Sequence, residues 1–400
     1  MTMMAEIKCA EDRAADDCIH YTDSIAAAVS ISGEKPVFCF SASALKYQVS
    51  QFLADFPGEV AYAVKANPSD EVVQGAYEAG IRVFDVASTL EMETVTRLCD
   101  GSIFHYHNPV KSRAEIATAY HAFGCRRFAA DCVEEIEKIA LSVGPVAGVE
   151  LAIRFRLPSG KASVHDFSSK FGVDEFKAAE LMQHAIKFGF LQILTFHPGS
   201  QCTDLVAWKS HIKAAGRIAK LAGVKLTKLN VGGGFPARYT GSRGQHLRSY
   251  FNTIADTVVD VFGDNAPALE CEPGRAICAP SFSLLTRVKL VRSASNDVFL
   301  NDGIYGGLLE VTQAHGLLPF YRVIRNGKLV ETEQKLEYTI FGPTCDPLDV
   351  LPNKLNLPVD LQEGDIIEFA GIGAYGMATS TRFNGYGDTQ TVFVETAYRG

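Results

Sequence analysis

The run AYAVKANP, residues 61–68, is apolar and strand-like apart from one lysine, Lys65. Burying an ammonium is costly unless the charge is paired, removed or used covalently. Two later stretches suggest a use. NVGGGFP, residues 230–236, contains three successive glycines whose backbone N–H groups can approach an anion closely. EPGR, residues 272–275, adds the guanidinium of Arg275, which is suited to phosphate. An amine opposite a phosphate site is what pyridoxal 5'-phosphate requires, because it carries both an aldehyde and a phosphate. Lys65 would form the Schiff base. Glu272 would stand against the ring nitrogen and keep it protonated, His197 in TFHPGS would stack on the ring, and Ser200 would reach the phosphate. Taken singly, each feature also has a plainer meaning: a surface ion pair for Lys65, a tight turn for the glycines, a partner for Arg275 in Glu272, and a hydrogen-bonded core histidine in His197.

The elements that must hold these residues follow from the apolar periodicity. Eight strand-like runs begin with EVAYAVKA and continue through RVFDVAS, SIFHYHN, RRFAADC, VELAIRFRL, LQILTFHPG and KLNVGGG to ALECEPGR, with amphipathic helical stretches between them. Such alternation predicts a parallel sheet, and eight units suit a closed (β/α)8 barrel, with an open doubly wound sheet as the competing arrangement. The barrel is favoured because polar residues fall at the C-terminal ends of the runs: Lys65, Asp85, His107, Asp131, Arg154, His197, the glycines at 232–234, and Glu272. Those ends share one face of a barrel, where active sites are built, and the loops after the last two strands are the usual phosphate site. Beyond Arg275 the pattern becomes strand-rich, with Asn326-Gly327 marking a hairpin. The expected organisation is an N-terminal extension over 1–34, a cofactor-binding barrel over 35–280 and a β-domain over 281–400. KPVFCFS, residues 35–41, is placed to lend a strand to the β-domain.

Composition narrows the class. With 47% hydrophobic and 21% charged residues, the 400-residue chain has the make-up of a globular protein with room for two cores. A net charge of −8 lacks the basic footprint of a nucleic-acid binder. No apolar run reaches a membrane span and the first residues do not read as a secretory signal, so a cytoplasmic protein is expected. The ten cysteines show no C-x-x-C pair or regular spacing and are read as reduced thiols.

The ordered series AVKAN, SKFGV, FHPGSQC, VGGGFP, EPGR, LNDGIYGGL, FGPTCDPLD and GAYGMATSTRFNGY resembles the fold-type III decarboxylases of basic amino acids, which act on ornithine, lysine, diaminopimelate or arginine. The likeness runs from about residue 35 to the C-terminus. It implies that Lys65 carries the cofactor, His197 stacks on its ring and Glu272 pairs with the ring nitrogen. Ser200, Gly234, Pro273, Gly274, Arg275 and Tyr375 would complete the cofactor site. In FGPTCDPLD it implies that Cys345 returns a proton to the substrate carbon after carbon dioxide leaves and that Asp346 binds the distal ammonium. It places both in the neighbouring subunit's active site, which implies a homodimer, with Lys170 and Asp349 bridging the subunits. Asp85 and Arg154 would support the site from behind.

Substrate choice is the finer question. Diaminopimelate enzymes of the family usually have glutamate after the catalytic cysteine, so Asp346 favours ornithine or lysine, decarboxylated to a diamine of polyamine biosynthesis. Ornithine enzymes carry a second acidic residue nine positions after the tyrosine of NDGIYG. Here that position is Ala314, flanked by Gln313 and His315. Loss of one of two buried carboxylates around an ammonium should cost roughly 1–3 kcal/mol. Diaminopimelate, arginine and 2,4-diaminobutyrate are the alternative substrates. The rival readings are a non-catalytic relative, which predicts loss of Lys65 or Cys345; an alanine racemase, which lacks the GPTCD element; and a metal-dependent barrel hydrolase, motivated by the i, i+2 histidines of HYH at 105–107.

Overall fold

The computed structural model describes residues 20–31, 33–157, 170–242, 244–313 and 318–400. Ala314 and His315 therefore lie outside the described residues, as do Cys9, Cys18 and most of the expected N-terminal extension. Two short strands open the chain, β1 (His20–Asp23) and β2 (Val37–Phe40), with helix α1 (Ser24–Ser30) between them. Helix α2 (Ala42–Asp55) follows, and the Ala44 N–H donates to its cap, Ser41 Oγ, at 3.3 Å. A cap of this kind contributes about 1 kcal/mol.

The next eight strands form a closed parallel barrel: β3 (Gly58–Ala63), β4 (Val83–Val86), β5 (Ile103–Tyr106), β6 (Arg127–Ala130), β7 (Glu150–Arg154), β8 (Leu191–Thr195), β9 (Lys228–Asn230) and β10 (Ala268–Cys271). Pairing of β10 with β3, Leu269 opposite Gly58, closes the ring. This excludes the open sheet. Helices α3 (Asp70–Glu78), α4 (Thr89–Leu98), α5 (Arg113–His121), α6 (Val133–Val143), α7 (Glu175–Phe188), α8 (Leu205–Ala222) and α9 (Leu247–Phe262) follow the first seven barrel strands. The last strand is followed only by the short helix α10 (Arg275–Cys278), and α2 packs between α3 and α9 to fill the ring.

Strand alternation sorts the side chains. Tyr62, Phe84, Phe104, Tyr106, Phe128, Leu151, Leu194 and Leu229 join the main core under the helices, while Ala129, Ala152 and Ile193 form a separate small cluster inside the barrel. Below that cluster the interior is ionic. Arg127 donates to Glu150 Oε2 at 2.6 Å, to Glu270 Oε1 at 2.6 Å and towards His105 Nδ1 at 3.1 Å. A charge this deep is tolerable because its donors meet carboxylates. The layer of small side chains above it leaves space at the opposite mouth.

The remaining strands build a second sheet: β11 (Phe282–Arg292), β12 (Asp297–Leu300), β13 (Tyr321–Arg325), β14 (Lys328–Leu329), β15 (Lys335–Phe341), β16 (Leu355–Pro358), β17 (Ile366–Ala370) and β18 (Gln390–Thr396). β2 lies antiparallel to β11 and parallel to β18, and β1 pairs with β18, so both N-terminal strands belong to this sheet. Asn326 and Gly327 have φ of 49° and 72° and join β13 to β14 with Arg325 opposite Lys328. That is the geometry of a two-residue primed turn.

Candidate active site

Beyond Ala63 the backbone tightens into a 3-10 turn over Val64–Ala66, which sets Lys65 at the rim of a cavity of about 320 Å³ at the C-terminal barrel mouth. Its Nζ lies 2.7 Å from Asp85 Oδ2; Asp85 is 3% exposed, whereas the Lys65 side chain is 48% exposed towards the cavity. Burial alone would lower the Lys65 pKa, but the anionic groups around it, Asp85 foremost and Glu272 with it, raise it above the ordinary lysine value. Burial pushes the Asp85 carboxyl up, as does the neighbouring Glu272. The pair thus couples a charged amine to a carboxylate disposed to accept its proton.

The other end of the cavity suits an anion. Gly234, with φ of +83°, passes so close to the 199–200 turn that an added Cβ would stand 2.2 Å from the Gly199 carbonyl oxygen. Only glycine permits both the angle and the approach. Arg275 Nη2 is 3.3 Å from Ser200 Oγ and also meets Glu310, while Nη1 donates to Tyr239 Oη at 3.2 Å. Arg275 Nε is buried with no hydrogen-bond partner among the described residues. Tyr375 holds a left-handed backbone, φ 62°, and its N–H donates to the Ala66 carbonyl at 2.7 Å. A strained non-glycine residue of this kind persists only where its surroundings fix it. Here it fastens the β-domain beside Lys65, with the tyrosine ring 5.1 Å from the Arg275 guanidinium.

Between the two ends lies a polar wall. His197 Nδ1 accepts the Gly199 N–H at 3.0 Å, which leaves the ring proton on Nε2. Burial, and then the Arg154 and Lys65 cations, pull the His197 pKa down to about 3, so its ring is neutral. Glu272 accepts from Asn230 Nδ2 at 2.6 Å and from His107 Nδ1, both at Oε1. Burial opposes its ionisation, but His107, Lys65 and Asn230 outweigh that and hold the carboxyl at about 2. An ionised carboxylate can only accept, which is what a protonated ring nitrogen needs. An amine at one end, a partnerless guanidinium nitrogen and a glycine cradle at the other, and an acceptor between them fit pyridoxal 5'-phosphate.

Lys65, His197, Ser200, Gly234, Glu272, Gly274, Arg275 and Tyr375 all line this one cavity, with Asp85, Arg154 and Lys170. Pro273 stands behind it, where its carbonyl accepts the Ala63 N–H at 3.1 Å and braces the Lys65 turn. Cys345 and Asp346 are not in its wall. They sit on the β-domain, Cys345 exposed and Asp346 half-buried, where Asn384 Oδ1 accepts from the Cys345 N–H at 3.1 Å and faces its Sγ at 3.2 Å. Asp346 is held by the Tyr305 hydroxyl at 2.5 Å and the Leu348 N–H at 2.9 Å. Asp349 is buried and engages the Ile304 and Thr344 N–H groups of its own chain at 3.0 and 2.9 Å. His107, Asn230, Tyr239 and Glu310 were not foreseen in the cofactor site. Two of them carry a sequence signal without a cofactor role attached: Asn230 opens NVGGGFP, and His107 is a strand-end residue of the HYH pair, whose spacing suggests a metal. Both histidines do face one side, with rings stacked 5.3 Å apart, but they serve different clusters: His107 meets Glu272, and His105 meets Arg127.

Residues 42–279 match the family model of the pyridoxal-dependent decarboxylases, pyridoxal binding domain. The chain is similar to the lysine/ornithine decarboxylase of Selenomonas ruminantium, with 32% identity over 343 residues, 84% of this chain and 83% of that protein. It is also similar to antizyme inhibitor 2 of Xenopus laevis, with 30% identity over 81% of this chain and 73% of that protein. The solved structure of lysine/ornithine decarboxylase from Vibrio vulnificus, complexed with cadaverine, aligns with a TM-score of 0.79 and 28% identity, over 93% of this chain and 98% of that one. Among the described residues no helix is long and apolar enough to cross a membrane. With this cavity, this barrel and its appended β-sheet, the chain belongs to the pyridoxal-dependent decarboxylases, as a fold-type III enzyme of that family.

Proposed function

We propose that the enzyme decarboxylates ornithine or lysine to the corresponding diamine, a step of polyamine biosynthesis, as a homodimer whose two sites each combine one chain's cavity with the partner's Cys345 and Asp346. The observation that carries this reading is that adjacent Cys345 and Asp346, the first exposed and the second half-buried on the β-domain, both lie outside their own chain's cavity. Asp346 is oriented by Tyr305 Oη at 2.5 Å, which lowers its pKa and keeps it available to a substrate ammonium. The relatives named as lysine/ornithine decarboxylases support the same substrate class.

Bound in this cavity, the cofactor supplies the electron sink that accepts the pair released when the substrate carboxylate leaves as carbon dioxide. Lys65 would hold the cofactor through its amine, with Asp85 placed to accept the proton that the amine must lose. Glu272 holds a proton on the ring nitrogen. Neutral His197 covers one ring face without adding a charge that would oppose that proton. Arg275, Ser200 and the glycines fix the phosphate. Once carbon dioxide has left, the Cys345 thiol would give one proton to the substrate α-carbon, which takes the place of the lost carboxylate.

Carbon dioxide release, measured in parallel from ornithine, lysine, arginine, diaminopimelate and 2,4-diaminobutyrate, tests the substrate. Ornithine or lysine should lead. A clear preference for arginine or diaminopimelate would contradict the role given to Asp346.

A further inference from the structure

Glu272 can serve a ring nitrogen only if one of its oxygens is presented to it, and the residue that turns it is His107. His107 follows β5, lines the cavity and is 6% exposed. Its ring is fixed on two sides: Nδ1 meets Glu272 Oε1, and its face stacks on His105 with planes 29° apart. His105 is held in turn, with Nδ1 3.1 Å from Arg127 Nη1 and Nε2 3.4 Å from Glu59 Oε1. Because the Glu272 carboxylate is ionised and can only accept, the hydrogen in this contact sits on His107 Nδ1. Asn230 Nδ2 reaches the same oxygen at 2.6 Å. Two donors converging on Oε1 fix the rotation of the carboxylate about its last bond, and neither engages Oε2. His107 Nε2 is buried with no partner among the described residues, so Glu272 is the ring's hydrogen-bonding anchor there.

We propose that His107 is a positioning residue of the cofactor site, donating from Nδ1 to Glu272 Oε1 so that Oε2 faces the ring nitrogen of pyridoxal phosphate. The inference rests on the reading that Glu272 meets that nitrogen. It gives the HYH motif a part in cofactor binding, in place of the metal site its spacing suggested.

The test is the dissociation constant of pyridoxal 5'-phosphate, from absorbance titration of cofactor-free protein. H107L should weaken binding about tenfold, the scale of a lost hydrogen bond to a charged group. H107N, whose amide can donate from nearly the same place, should stay within about threefold of the unaltered protein. Added to E272A, H107L should change affinity by less than about twofold, because a residue acting through Glu272 has nothing left to position. Unaltered affinity in H107L, or a full tenfold loss that persists in the E272A background, would overturn the proposal. Should H107L fail to fold, H107N and H107D carry the test: the first retains affinity and the second loses it, and equal affinities defeat the idea. E272A binding as tightly as the unaltered protein would instead remove the reading of Glu272, and this inference with it. Weakened E272A alongside unaffected H107L sinks the inference alone.

Discussion

Lys65 and Asp85 form an ion pair of 2.7 Å between a half-exposed ammonium and a buried carboxylate. The pairing makes Lys65 a poorer nucleophile at neutral pH than a free lysine, because the charged form is favoured. It also supplies the acceptor through which that proton can leave. Asp85→Asn removes the anion that raises the Lys65 pKa most. The rate at which cofactor-free protein takes up pyridoxal phosphate rises as Lys65 loses its proton, so the variant's rate-against-pH curve should move to lower pH. Stopped-flow absorbance across pH 6–10 measures it. An unmoved curve would show that Asp85 does not govern the amine.

His197 makes a distinct pH prediction. Its folded pKa, about 3, lies below the ordinary 6.5, so between those values the unfolded chain binds more protons than the folded one. The corresponding stability is fully present above about pH 6.5 and is lost as pH falls towards 3. His197→Gln should therefore flatten the decline in melting temperature of the cofactor-free protein over that window, whatever its effect at pH 7. A slope equal to that of the unaltered protein would refute a buried neutral ring.

Arg275 is braced from behind by Glu310 and Tyr239 and faces the cavity beside Ser200. Arg275→Ala should weaken pyridoxal 5'-phosphate about 10- to 100-fold, the range of charge-assisted hydrogen bonds. Binding of pyridoxal, which lacks the phosphate, should change little. Equal losses for both ligands would place the defect in folding, since the substitution also leaves Glu310 buried without its cation.

The proposed sharing of sites between two subunits has an arithmetic consequence. Lys65→Ala and Cys345→Ala should each be inactive as homodimers. Mixed and reassociated in equal amounts, half of the dimers are heterodimers with one intact site, so activity should return to about one quarter of the unaltered protein's. No recovery, with heterodimers demonstrated by mass, would place Cys345 in its own chain's site or outside the reaction.

Much of the architecture can be read from the residues because each barrel strand is short and carries a polar residue or glycine at, or within two residues of, its C-terminal end. Asn326-Gly327 specifies its turn by conformation alone. β16 is hidden because LPNKLNLPVD carries prolines on both sides of a short run and reads as a loop. β1 is hidden because it depends on β18, near the far end of the chain. The same distinction runs through the site. Lys65, Arg275 and the glycines announce themselves by chemical type. Glu310 lies in an ordinary LLEVTQ stretch and becomes a partner of Arg275 only when a segment 35 residues away is folded beside it. His107 was visible, but its meaning depended on the carboxylate opposite, which strand spacing cannot supply.

Lys65 carries the proposed chemistry, and the chain offers a control for it. Lys111, unlike Lys65, is buried, and its Nζ is engaged by the Asn108 and Ala129 carbonyls at 2.8 and 2.7 Å and by Glu135 at 3.1 Å, outside the cavity wall. Loading the enzyme with pyridoxal 5'-phosphate, reducing it with borohydride and mapping the peptides by mass should place the phosphopyridoxyl group on Lys65, within the stretch AYAVKANP. A label on Lys111, Lys170 or another lysine, with Lys65 unmodified, would contradict it.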